Sequence, residues 1–584
     1  MRVAPARGAA EDVDTAPVRH VVRLHRRTRR ILEVTTELPP DLPERVRVVL
    51  PTWTPGSYLV RDHVRHLRRL TVEDGDGAPI AATPDGISAW SVPTARPGPV
   101  RLHTEWYADE RTIRTTHVDE RHALIVGAAT FLCVEPARAR PQLVRFEGTE
   151  DHEVFTTLGA TPDGGWEAAD YDALADAAFE VGRHPTSERI VDGAPHRVVW
   201  AARRPPMERL DRLADDLGRI AEAARDVLGP APLPHGYTVL VVDGAPGGLE
   251  HRDGATIALP DEADGSGRSR DASLLAHEYL HLWNGRRLSP RSLIRPPLDA
   301  PAPTPSLWVT EGWTSYYDLL LPARAGVLSL EGLLEGLARR IEHVAAIPGV
   351  RVRSLRDASR SAWTKHYRPD ADTANTTTDY YTHGSLVALE LDLAIRALEP
   401  DSDGLDDVLR LLWERHGQAH GFDESDVLDA IADLAGTELA RTTERLVATP
   451  CPPDPLGHLA TVGITASERE RPGVDLGVRT RGTAGTLEVV TVLEDGPAWQ
   501  AGLAEGDRLR RLGDRELTPS TFGATLASLP VGERLVLQVE RDGTELDLNI
   551  LTDKPRPSLH LEPDPRAAEA ARASRSRWLR RHGA

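Results

Sequence analysis

The sequence predicts a multidomain α+β protein, and three successive patterns along the chain predict it. Residues 18 to about 160 alternate apolar and polar positions with the two-residue period of half-buried strands. From about 205 to about 447 the apolar positions recur at helical spacing. After the proline-rich break ATPCPPDPLG, short strands and turns return over 474–552. A chain of 584 residues exceeds what one hydrophobic core supports, which suggests three or so domains. We place them at 16–185, 186–455 and 456–556, with a basic segment at 557–584 expected to be a solvated helix or tail.

Each element has a local cause. Runs such as RHVVRLH, RVRVVLPTW and VRLHTEWYA are separated by turns rich in Gly and Pro, which suits an antiparallel β-sandwich. In the middle part MERLDRLADDLGRIAEAARDVLG is an amphipathic helix closed by Gly229, and YTVLVVDG is a strand. The sequence contains no internal repeat.

Bulk properties narrow the function. Hydrophobic residues make up 40 %, as in soluble globular proteins, and no run approaches the roughly 20 apolar residues of a membrane span. A net charge of −19 argues against a nucleic-acid partner, which needs clustered cations. Lysine is confined to Lys365 and Lys554 while arginine is abundant, a bias of coding rather than chemistry. Cys133 and Cys451 form no disulfide framework, and the first twenty residues lack the apolar core of a secretory signal. A cytoplasmic protein without a membrane partner is expected.

The chemistry concentrates in HEYLHLWNG, His277 to Gly285. Two histidines four apart stack on one face of a helix, where their imidazoles can converge on one ion. Glu278 then stands beside that face as a candidate base for metal-activated water. The helix is expected to start near Ser269 or Asp271 and to stop at Asn284–Gly285. The plain alternative is two polar residues on an amphipathic surface helix. A third ligand is needed, and LWVTEGWTSYYD offers Glu311. Asp318, seven residues on and back on the same face, could accept a hydrogen bond from a ligand imidazole, or be a surface carboxylate.

HEYLHLWNGRRLSP followed by LWVTEGWTSYY resembles the glycyl aminopeptidase family of zinc peptidases, a branch of the thermolysin-like gluzincins. PTWTPGSYLVRDHVRHL resembles that family's N-terminal sandwich signature, and DYDALADAAFEVG its junction before the catalytic domain. GGLEHR resembles its substrate-binding strand end, and SAWTKHYRPDADTANTTTDYYTHGSLVALELDLAIR the long block after the zinc site. Together these span most of residues 20–450 in the family's order. The resemblance implies a thermolysin-like, mostly helical catalytic domain. It also implies one Zn2+ per chain held by His277, His281 and Glu311, with Glu278 as general base.

The resemblance further implies that Tyr381, at the family's spacing to Gly384 in YYTHG, donates to the oxyanion. His383 stands where the family has lysine, and Tyr380 is the alternative donor. Without the resemblance, the two tyrosines would be a half-buried packing pair. Gly247 and Gly248 let a substrate backbone approach the strand edge, and Glu250 by resemblance pairs with the substrate's α-ammonium. Taken alone, that phrase is a turn. Trp53, Pro55, Gly56 and Tyr58 are read as a rigid turn bracing the sandwich in preference to a loop capping the active site. Arg286 and Arg287 are expected to serve packing at the helix end.

GPAWQAGLAEGDRLRRLGDREL resembles the second half of a PDZ domain. DLGV places Leu476, Gly477 and Val478 at its carboxylate loop, whose amides would receive the C-terminus of a peptide. A ligand-binding groove and a packed structural module are both open. The expected function is a zinc aminopeptidase acting on peptides, with small N-terminal residues such as Gly or Ala implied by the resemblance. A zinc endopeptidase would use the same metal chemistry without Glu250 reading an amine. A non-catalytic PDZ-type scaffold would need no general base.

Overall fold

Strand alternation in the first third of the chain buries one face of each sheet on a shared core. The computed structural model describes residues 16–96, 98–203, 207–260, 267–417, 420–483 and 485–579. An eight-stranded sheet runs from Gly159–Ala160 to Pro79–Ile80, with Val18–Arg23 and Gln142–Glu147 paired in parallel inside it. A four-stranded sheet centred on Arg45–Val49 and Ala89–Pro93 packs with it around Val22, Val48, Leu102 and Phe131. A second four-stranded sheet, ordered Glu153–Thr156, Ala178–Gly182, His122–Val126 and His117–Val118, leads towards the next domain. The expected sandwich is therefore built from three sheets.

The middle part of the chain begins with a five-stranded sheet, ordered Thr186–Val191, Ala194–Trp200, Tyr237–Val241, Gly254–Ala258 and Gly247–His251. The pair Ala194–Trp200 and Tyr237–Val241 is parallel, so its connection must cross over, and the helix Met207–Leu228 does so. Leu210, Leu213, Leu217, Ile220 and Ala224 recur at helical spacing on its buried side. Gly247–His251 pairs antiparallel with Gly254–Ala258 and forms the sheet edge. Beyond it the chain is helical, and sheet and helices share one core containing Trp283, Trp308, Trp313, Tyr316 and Tyr317.

Residues 474–552 form a separate small core around Leu476, Val489, Leu509, Leu537 and Val539. Asn375 fastens this module to the helical middle part: its Nδ2 donates to Val492 O at 2.9 Å, and Glu494 N donates to its Oδ1 at 2.9 Å.

The basic end differs from expectation. Ser558–Pro563 pairs antiparallel with Ile464–Arg469, and the helix Glu569–Leu579 docks on the helical middle part. Trp578 is fully buried there, donating Nε1–H to Tyr316 Oη at 2.8 Å, while Arg324 Nε donates to Trp578 O at 3.0 Å. Burial of this one large aromatic, with its polar end satisfied, outweighs the solvation of the basic residues around it. Residues 580–584 of the expected tail lie outside the described residues. Among the described residues no helix is long and apolar enough to cross a membrane.

Candidate active site

His277 and Glu278 lie in the last turn of the helix Gly267–Leu280. That helix ends earlier than the expected Asn284–Gly285, because its final turn tightens: Leu282 N donates to Tyr279 O and Trp283 N to Leu280 O. His281 still stacks beneath His277, and the two Nε2 atoms converge to 3.1 Å. His281 Nδ1 donates to Asn284 O at 2.8 Å, which leaves its Nε2 lone pair free. His277 Nδ1 faces Asp318 Oδ2 at 3.6 Å, and Arg340 Nη2 holds the other oxygen of Asp318 at 2.6 Å.

Glu311 enters from a π-helical turn, Trp308–Trp313, where α-helix was expected. Its Oε2 lies 3.5 Å from His277 Nε2 and 3.3 Å from His281 Nε2. Asn284 pins this turn by donating Nδ2 to Val309 O at 2.9 Å and to Thr314 Oγ1 at 3.1 Å. The turn also meets the helix Thr382–Leu398 with no side chain between them: a Cβ on Gly312 would stand 2.7 Å from Gly384 Cα. That contact brings Tyr381, the residue before the helix, to the histidines.

The Tyr381 ring lies 6.0 Å from that of His277, and its hydroxyl is 3.2 Å from Tyr367 Oη. Both phenols line the cavity in front of the histidines, whereas Tyr380 is fully buried behind them with its hydroxyl unpartnered. His383 is buried too, with Nδ1 3.0 Å from Thr378 Oγ1, and is not among the residues lining the cavity.

Glu278 points into the same cavity of about 460 Å³, and its Oε2 has no hydrogen-bond partner. A Cβ on Gly248 would sit 1.9 Å from Glu278 Oε1, so only glycine lets the edge strand and this carboxylate approach. Glu250, two residues along the strand, also lines the cavity and is buried. Gly247, with φ of 152°, opens the strand at its cavity end.

The N-terminal loop was read as a brace, and the structure corrects that. Gly56 lies against Glu250: a Cβ there would stand 2.6 Å from both carboxylate oxygens, and its φ of 85° itself favours glycine. Tyr58 donates to Glu311 Oε1 at 3.4 Å. Trp53 and Tyr58 pack edge-on against Trp363, so the loop joins the two domains at the site. Arg114, also from the N-terminal domain, lines the cavity and donates Nη2 to Gly248 O at 2.9 Å. Arg114 and Arg340 stand in none of the signatures quoted above and reach the site across a long stretch of chain. Asn284, Tyr367 and Tyr58 stand within those signatures, but their contacts at the site, with the Glu311 turn, Tyr381 and Glu311, were missed by sequence reasoning. Arg286 pairs with Asp176, and Arg287 donates to Leu282 O and Arg252 O, the packing role expected of them.

Electrostatics favour a cation between the histidines. Burial works against a charged His277, yet Asp318 and Glu311 offset it and raise its pKa to about 10. Burial likewise opposes ionised Glu311, but His281 and His277 hold it down at about 2. Burial pushes Glu278 up to about 7 against the pull of both histidines. Tyr381 is raised well above its ordinary value, first by burial and then by Glu311, so it keeps its proton. Two imidazoles and a carboxylate, with ligand atoms within 4.8 Å of one another and an open cavity in front, suit zinc with one position left for substrate or water.

In the C-terminal module Leu476, Gly477 and Val478 lead into the edge strand Val478–Thr483. The Gly477 amide is engaged by its own chain, donating to Asp475 Oδ1 at 2.8 Å.

Residues 270–387 match the M61 glycyl aminopeptidase family, residues 20–183 the peptidase M61 N-terminal domain, and residues 474–552 the PDZ domain. The solved structure of an aminopeptidase N family protein from Idiomarina loihiensis matches with a TM-score of 0.88 at 23 % identity, covering 96 % of this chain and 100 % of that one. That likeness is one of fold. The M1 zinc metallopeptidase of Deinococcus radiodurans gives a TM-score of 0.48 at 15 % identity, covering 75 % of this chain and 95 % of that one. No curated protein matches the chain.

Proposed function

We propose that this chain, a peptidase carrying the domains of the M61 glycyl aminopeptidase family and a PDZ domain, is a zinc-dependent aminopeptidase that releases residues from the free N-terminus of peptides. One observation carries the reading: Glu250 shares a cavity with His277, Glu278, His281, Glu311 and Tyr381, and the Gly56 loop stands against it. A peptide whose ammonium meets Glu250 would run on past the histidines, whereas an endopeptidase needs a groove open on both sides.

His277, His281 and Glu311 would hold the metal, with Asp318 and the Asn284 carbonyl orienting the imidazoles. When bound, zinc supplies Lewis-acid polarisation of the scissile carbonyl and of water. Glu278 takes a proton from the attacking water and returns it to the leaving amine. Tyr381 donates its hydroxyl to the oxygen that gains charge, and Tyr367 orients it. Gly247 and Gly248 let the substrate backbone lie along the strand edge. An N-terminal Gly is the first residue that the matched family's name suggests, and we extend it to small residues such as Ala.

For the PDZ domain we take a peptide C-terminus as ligand, received at Leu476, Gly477 and Val478. Asp475 must then release the Gly477 amide.

The test compares wild type with Glu278→Gln on fluorogenic alanyl and glycyl amides, after chelation and after zinc is returned. Hydrolysis restored by zinc in the wild type, and lowered ~10²–10⁴-fold in the variant, is expected of a general base. Zinc-loaded wild type with no hydrolysis would move the reading to a peptide-binding scaffold.

A further inference from the structure

A second histidine–histidine–glutamate set lies in the N-terminal domain, away from the cavity just described. His122, Glu180 and His184 bring their ligand atoms within 4.8 Å of one another, as His277, His281 and Glu311 do. We propose that this set is a second binding site for a divalent transition ion of the zinc class, placed where the N-terminal domain joins the catalytic sheet.

The strands explain the convergence. Glu180 pairs with Leu124 across the antiparallel strands Ala178–Gly182 and His122–Val126, so Glu180 and His122 share one face of the sheet. His184 follows just beyond the strand and folds back over it. Gly182 makes that possible, because a Cβ there would stand 2.1 Å from His184 Nε2. Glu180 Oε1 lies 2.8 Å from His122 Nδ1 and 2.9 Å from His184 Nε2.

The second observation is the other oxygen. Glu180 is fully buried, and its Oε2 has no hydrogen-bond partner. Among the described residues the ion-pair partners of Glu180 are these two histidines, with no arginine or lysine in reach. A buried carboxylate with an orphaned oxygen is costly. Protonating one imidazole would serve Oε1 alone. A cation held by both imidazoles and the carboxylate would compensate the charge and use the free oxygen.

The surroundings repeat the arrangement at the catalytic set. His122 turns its other nitrogen, Nε2, towards Asp119 Oδ2 at 4.0 Å, as His277 turns Nδ1 towards Asp318. Asp119 is fixed in turn by the Arg121 and His122 amides at 2.9 and 3.1 Å, and its Oδ2 also meets His117 Nε2 at 3.3 Å. The location suggests a fastening role. Leu124 and Phe155, from the same small sheet, share a core with Val199, Leu240, Leu249 and Ala258 of the catalytic sheet.

The experiment uses the full chain, stripped by chelator, reloaded with zinc alone, freed of excess and measured for zinc per chain by elemental mass spectrometry. Wild type, Glu311→Gln, His184→Gln and the double variant are compared, with circular dichroism to check folding. Two zinc ions in the wild type, one in each single variant and none in the double would support the site. One ion in the wild type that is lost in Glu311→Gln and kept in His184→Gln would overturn it while leaving the proposed catalytic metal intact. If His184→Gln fails to fold, Glu311→Gln decides alone: one retained ion supports the second site, and none overturns it.

Discussion

The two histidine–histidine–glutamate sets share their donors and differ in what stands in front of them. His277, His281 and Glu311 face a cavity of about 460 Å³, with an unpartnered carboxylate at Glu278 and a phenol at Tyr381. His122, Glu180 and His184 do not line that cavity and lie instead beside the apolar junction of two domains. Catalytic metal sites keep an open position with a base beside it, whereas structural ones are closed. The lesson is that ligands alone do not make a peptidase. The neighbouring glycines do as much, since Gly248 and Gly56 let Glu278 and Glu250 occupy the cavity.

Metal removal should separate the sets most widely. Brief chelation is expected to abolish peptidase activity while the thermal unfolding midpoint holds, and prolonged chelation to lower the midpoint afterwards. Parallel loss of activity and stability would break the distinction. Next in size, Glu278→Gln should lower kcat by ~10²–10⁴-fold with zinc content unchanged, as the proposed role of base rather than ligand requires. Glu180→Gln should do the reverse, losing one zinc with kcat unchanged.

Tyr381→Phe is expected to lower kcat by ~10²–10³-fold, the usual cost of removing one donor to a developing oxyanion. Tyr380→Phe should leave kcat close to wild type, because that hydroxyl is buried away from the cavity. Steady-state kinetics of both variants check this pair, and equal losses would return Tyr380 to the role.

The smallest effect is a pH dependence in the N-terminal domain. His20 is buried against Thr36 and Gln142, and burial lowers its pKa from 6.5 to about 4 despite the Gln142 hydrogen bond. The unfolded chain takes up this proton below 6.5 and the folded chain only near 4, so stability is lost as pH falls through that window. The loss should reach about 2 kcal/mol at pH 5. Denaturant unfolding at pH 7 and pH 5 measures it, and no loss would mean that the fold accommodates the charged imidazole.

How much was legible in the sequence follows from the range over which each residue acts. The convergence of His277 and His281 could be read because histidines four apart share a face, and the approach of Glu311 and Asp318 because both follow within one helical stretch. The π-turn at Trp308–Trp313 could not, since no propensity marks it and the residue packed closely against its Gly312, Gly384, lies far along the chain. Tyr58, Arg114 and Arg340 reach the site by folding of distant segments, so no spacing announces them. The docked end was misread because one aromatic, Trp578, decides the fate of a segment whose other residues are basic. His122, Glu180 and His184 stood unnoticed because strands brought them together across a long gap in sequence.

The most direct measurement is the ratio of kcat/KM for an alanyl amide with a free amine to that for the same amide N-acetylated, in wild type and in Glu250→Gln. An ammonium held by Glu250 should give a large ratio in the wild type. The variant should lower it by ~30-fold or more, as removing one partner of a buried charge pair costs roughly 2–5 kcal/mol. Equal hydrolysis of the free and acetylated substrates would contradict an aminopeptidase, leaving an endopeptidase that uses the same three ligands and the same base.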